Sequence, residues 1–78
     1  MSWTYSYSES FIERYKQLPF WKRKVIRKRV KQARRGELKG VRKGKLLYFS
    51  LTGIGNVIIA KVDEELQRVE FYRIQIQS

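Results

Sequence analysis

The sequence contains no cysteine and no histidine, and only one proline. Without cysteine there is no disulfide framework, and without either residue a structural zinc site would need carboxylates alone. Carboxylates are scarce too, since seven Asp and Glu are spread along 78 residues. Structural zinc is therefore excluded, and a Ser-His-Asp nucleophile is impossible. No carboxylate pair stands at acid and base spacing, because Glu64 and Glu65 are adjacent turn residues. No cofactor is implied. No apolar run approaches the roughly 20 residues that a membrane helix needs, so no membrane partner is expected. The opening Met1-Ser2-Trp3-Thr4-Tyr5 lacks the basic and then apolar regions of a signal peptide, which makes a cytoplasmic location the expectation.

Positive charge is abundant by contrast. Eighteen Lys and Arg against seven acids give a formal net charge of +11. A surface so charged attracts anions, so the expected partners are nucleic acid or an acidic protein. Hydrophobic residues make up 42% of the chain, too many for a disordered polycation. The length suits one core, so residues 1–78 are expected to form a single domain.

Trp3, Tyr5 and Tyr7 alternate with Ser2, Thr4, Ser6 and Ser8, which predicts a first strand. Ser8 can cap a short helix whose Phe11, Ile12, Tyr15 and Leu18 recur at helical spacing, and Pro19 ends it. From Phe20, a stripe of Trp21, Val25, Ile26, Val30 and Ala33 predicts a second helix that stops near Gly36. Its remaining surface is basic and is expected to lie outward, with the stripe docked on a sheet. Gly36 to Gly44 holds three glycines and three cations and reads as a mobile loop. Lys45–Leu51 and Val57–Val62 then read as a hairpin around the turn Thr52 to Asn56, and Asp63-Glu64-Glu65 as the next turn. In the last strand, Gln67 to Gln77, Val69, Phe71, Arg73 and Gln75 alternate with Glu70, Tyr72, Ile74 and Ile76. The expected fold is α+β in the order β-α-α-β-β-β, with two N-terminal helices packed on a small, mainly antiparallel four-stranded sheet.

Fifteen of the eighteen cations lie between Arg14 and Lys45. The second helix carries nine of them with no acid, which forgoes every i,i+4 ion pair and points to polyanion contact. Lys24, Lys28, Lys31 and Arg35 fall along one edge at a spacing that can follow a phosphate backbone. With Arg27, Arg34, Lys39 and Arg42 they are the candidate nucleic-acid contacts. Trp21 is read either as a base-stacking side chain or as a packing anchor beside Phe20. The turn around Gly53 and Gly55 lacks the helix and Lys of a phosphate-binding loop and reads as a hairpin turn.

Cleavage of RNA at a 2′-hydroxyl needs only a base, a proton source and cations for the phosphorane, so Lys, Arg and Tyr suffice. Lys43, Lys45 and Arg73 are the candidate phosphate-stabilising residues, and Tyr48 and Tyr72 the candidate acid or base. The same residues also read as sheet aromatics and solvated surface.

The order of elements, the Ser8-Glu9-Ser10-Phe11 helix entry, Leu38-Lys39-Gly40 before the second strand and the hairpin with its Asp-Glu turn together resemble the RelE/ParE toxin superfamily. The resemblance covers nearly the whole chain. It implies a small basic toxin made with an acidic antitoxin. RelE-type activity would be metal-independent cleavage of mRNA at the ribosome, and ParE-type activity inhibition of DNA gyrase. It further implies Lys or Arg on the second strand, an early Arg on the third, and a basic residue and Tyr after the fourth. At those places stand Tyr48 and Ser50, Asn56 and Val57, and a sequence that ends at Gln77-Ser78. A module that binds RNA or DNA without cutting it therefore stands as the alternative.

Overall fold

The computed structural model describes residues 3–76, so the expected strand ends at Ser2 and Gln77 lie outside the described residues. The chain runs β1 (Thr4–Tyr7), α1 (Glu9–Gln17), α2 (Phe20–Arg34), β2 (Val41–Lys43), β3 (Leu46–Leu51), a 3₁₀ turn (Thr52–Ile54), β4 (Asn56–Asp63) and β5 (Arg68–Ile76). The strands form one sheet in the order β1-β5-β4-β3-β2, with β1 parallel to β5 and the other pairings antiparallel.

The sheet thus has five strands rather than four. Val41–Lys43, expected as part of a mobile loop, pairs with Leu46–Tyr48. Two glycines there serve geometry. Gly44 turns the chain at a φ of 61°, and a Cβ on Gly40 would sit 2.4 Å from the Tyr48 carbonyl oxygen. Only glycine allows so close a backbone approach.

Both helices begin and end as their residues dictate. The Ser8 hydroxyl accepts a hydrogen bond from the Phe11 N–H at 3.0 Å, and Pro19 follows the end of α1. At the end of α2 Gly36 takes a φ of 96°, its N–H donates to Ala33 O, and Glu37 N–H donates to Gln32 O. This glycine-dependent closure satisfies the last carbonyls.

The core lies between α2, α1 and one face of the sheet. Ile26, Val30 and Ala33 of α2 and Phe11 of α1 meet Leu47, Phe49, Ile58, Ala60, Val62, Val69, Phe71 and Ile74. The docked stripe is narrower than the spacing suggests, because Trp21 and Val25 stand exposed outside it.

Arg29 departs from the expected outward set. Its guanidinium lies 4.3 Å from the Phe49 ring centroid and donates to Glu37 O and Lys39 O at 3.0 and 2.8 Å. Desolvation by this burial lowers its pKa, and the charge of Glu37 partly offsets that. Arg29 is a strut that fixes the segment leading into β2.

Strict alternation fails in β5. Ile59 pairs with Arg73 and Ala60 with Phe71, so Tyr72 is an extra, bulged residue. After the bulge Ile74 returns to the core face with Val69 and Phe71. Tyr72 and Arg73 are left together on the outer face. Ser8 holds this irregularity, since its hydroxyl donates to Tyr72 O.

Candidate functional site

The outer face of the sheet faces away from both helices. The register sets Val41, Tyr48, Ile59 and Arg73 side by side across β2, β3, β4 and β5, and one row nearer the Asp63 turn it sets Lys43, Leu46, Lys61 and Glu70. Strands about 4.8 Å apart place Tyr48 and Arg73 about 10 Å apart at their backbones, a span within reach of one nucleotide. Ile59 is buried there between them.

Cations crown both tyrosines. Lys43 Nζ lies 5.6 Å from the Tyr48 ring centroid. Lys61 Nζ lies 4.0 Å and the Arg73 guanidinium 5.1 Å from that of Tyr72. Such contacts orient a cation over the ring face and leave its remaining donors in water. Arg73 Nη2 also donates to Tyr72 Oη at 3.4 Å. A phenol that accepts in this way keeps its own proton free to donate elsewhere.

Of the proposed catalytic set, Lys43, Tyr48, Tyr72 and Arg73 come together on this face. Lys45 stands at the rim of this cluster. It lies in the β2–β3 turn, where it lines one groove with Lys61 and Glu70 and another with Glu64 and Glu65. Lys61, outside the expected set, is a further cation of this cluster. Its signal was in the sequence, because Val57, Ile59 and Lys61 alternate with the buried Ile58, Ala60 and Val62. Arg14 of α1 lines a shallow groove with Arg73 and adds a further cation at this edge.

The expected nucleic-acid contacts form a separate surface. Lys24, Arg27, Lys28, Lys31 and Arg34 on α2 and Arg35 at its C-terminal cap are exposed, and the helix packs on the opposite face of the sheet. Three of them have partners within the chain, Lys24 through its Nζ at 5.8 Å from the Phe20 ring centroid. Arg27 donates to Tyr15 Oη through Nε and Nη2, at 3.1 and 2.9 Å, and the Arg34 guanidinium lies 5.7 Å from the Tyr5 ring centroid. Lys39 is exposed before β2, whereas Arg42 donates to Gly44 O at 2.7 Å and pairs with Glu64 at 3.4 Å. Lys28, Lys31 and Arg35 remain open, with Lys24 beside Phe20 on the same edge.

A third feature is an apolar groove of about 370 Å³ lined by Tyr7, Phe11, Ile12, Tyr15, Ile26 and Val30, with Lys16 and Arg27 also on its wall. Among the described residues no three acids gather as metal ligands, and no helix is long and apolar enough to cross a membrane.

This architecture is that of the RelE toxins. The chain superposes on the isolated E. coli RelE toxin with a TM-score of 0.77 at 15% identity, covering 99% of this chain and 86% of that one. For the intact E. coli RelBE toxin–antitoxin complex the TM-score is 0.73 at 14% identity, with 99% and 98% covered. For a RelBE toxin–antitoxin complex from Mycobacterium tuberculosis it is 0.62 at 15% identity, with 99% and 100% covered. No family model and no curated protein matches the sequence. The likeness is one of fold, and the chain has the RelE fold.

Proposed function

We propose that this protein is the toxin of a toxin–antitoxin pair, that it cuts mRNA at the ribosome on the outer face of its sheet, and that an acidic antitoxin protein silences it. The observation that carries this reading is the open cluster of Tyr48, Tyr72, Lys43, Lys61 and Arg73 on a RelE fold. The neighbours are described as a toxin and as toxin–antitoxin complexes, which favours the pairing.

In-line attack of a 2′-oxygen on the adjacent phosphorus breaks the bond to the 5′-oxygen and leaves a 2′,3′-cyclic phosphate. Lys43, Lys61 and Arg73 stabilise the charge that develops on the phosphorane oxygens. Tyr72, whose Oη already accepts from Arg73, gives its proton to the departing 5′-oxygen. Tyr48 then stands on the side of the 2′-hydroxyl, whose proton passes to water hydrogen-bonded to the Tyr48 hydroxyl as the oxygen attacks. For the antitoxin, the groove walled by Tyr7, Ile12 and Val30 with Lys16 and Arg27 suits an amphipathic acidic segment.

Induction of the gene alone in a bacterium should arrest growth and leave cut mRNA on ribosomes, and co-expression of the antitoxin should relieve the arrest. The variant Tyr72→Phe with Arg73→Ala should be soluble and harmless. Normal growth with the wild-type protein soluble and abundant would refute the proposal. One observation favours a second reading, that of nucleic-acid binding without cleavage. The uncompensated cations of α2 lie on the face opposite the tyrosines.

A further inference from the structure

We infer that Phe20 and Trp21 form a stacking platform for unpaired bases of a single-stranded nucleic acid whose phosphates run along the cations of α2. The two rings are 62% and 56% exposed, although both open the helix that supplies the core with Ile26, Val30 and Ala33. The core does not use them. Cations collar them instead: Lys22 Nζ lies 5.4 Å from the Trp21 centroid, and the Arg23 guanidinium and Lys24 Nζ lie 5.9 and 5.8 Å from that of Phe20. The Nε of Arg23 is buried with no acceptor among the described residues.

A nucleotide is a planar ring joined to a phosphate, and this patch offers π-faces and cations with no acid on the helix. An acidic peptide would satisfy the cations but bring no ring to stack. A duplex would hide its base faces. An anionic lipid surface would need a broad apolar face at one level, whereas beyond Val25 the exposed side of α2 is cationic. Lys24, Lys28, Lys31 and Arg35 continue from the platform at about 5.4 Å per turn, the geometry of a linear polyanion.

The test uses the full chain and fluorescent oligodeoxythymidylate, which has no 2′-hydroxyl and so binds whether or not the outer face cuts RNA. An abasic strand of equal length is the control. Trp21→Ala should weaken thymidylate binding roughly tenfold and leave abasic binding unchanged, and Trp21→Tyr should restore most of the loss. In a Trp3→Phe background, the emission of Trp21 should be quenched by thymidylate and not by the abasic strand. The inference is overturned if the abasic strand binds as tightly as thymidylate or if Trp21→Ala weakens both alike. It is also overturned if phosphatidylserine vesicles perturb Trp21 emission and thymidylate does not.

Discussion

Replacing Ser8 with alanine tests how the outer face is held. The hydroxyl serves two elements at once, accepting from Phe11 N–H at the start of α1 and donating to the carbonyl of the bulged Tyr72. Loss of an N-cap oxygen costs about 1 kcal/mol. A part-buried carbonyl left without its donor costs about 1 kcal/mol more. Ser8→Ala should therefore lose about 2 kcal/mol, which in a domain of this size lowers Tm by about 8–16 °C. Ser8→Asp separates the two shares. A carboxylate caps the helix but cannot donate to Tyr72 O, so it should recover the cap share alone. Thermal unfolding followed by circular dichroism measures both, and activity should fall with the bulge share because Tyr72 and Arg73 depend on that turn for their common face. Full recovery of stability in Ser8→Asp would show that the bulge does not lean on Ser8.

Other substitutions probe separate parts of the structure. Arg29→Ala should cost about 2–3 kcal/mol in urea unfolding through two lost charge-assisted hydrogen bonds and the contact with Phe49, and Arg29→Lys should rescue little because it has no fork. By contrast Lys28→Ala, at an exposed cation, should stay within about 0.5 kcal/mol. Gly40→Ala should destabilise by about 2–3 kcal/mol and speed amide exchange in β2, since its Cβ would overlap the Tyr48 carbonyl, while Gly53→Ala meets open space and should be mild. Lys61→Ala should slow RNA cleavage about a hundredfold with Tm nearly unchanged, measured on purified ribosomes programmed with mRNA. Joint replacement of Lys24, Lys28 and Lys31 by Ala should lower the salt slope of single-strand binding by about 2 without affecting that rate.

What the sequence disclosed depended on how local the cause was. The caps at Ser8 and Gly36, the break at Pro19 and the β3–β4 hairpin are written within a few residues of where they act. The strand Val41–Lys43 is three residues long between glycines and owes its existence to pairing with Leu46–Tyr48. No periodicity could mark it. Parallel pairing of β1 with β5 joins the two ends of the chain and is equally non-local. The bulge did leave a trace, since Val69, Phe71 and Ile74 break an even alternation with three apolar residues. Arg29 could not be told from its neighbours on charge alone, because what distinguishes it is the ring of Phe49 beneath it.

The placement of charge bears on how such a protein is kept in hand. At +11 it repels itself, and among the described residues only one ion pair, Arg42 with Glu64, forms. Its four late acids occupy β4, β5 and the turn between them, away from α2, so they do little to neutralise the helix. The free chain is thus electrostatically loaded, and any anion bound to the folded form removes part of that load. A ligand at a hundred times its dissociation constant adds about 2.7 kcal/mol of stability. Nucleic acid on α2 and an acidic protein in the groove beside it would both exploit this, and they meet at Arg27, which faces the groove from the cationic helix. Occupation of the groove by a negatively charged segment would also weaken the field along α2. A protein partner could therefore loosen nucleic-acid binding without covering the outer face.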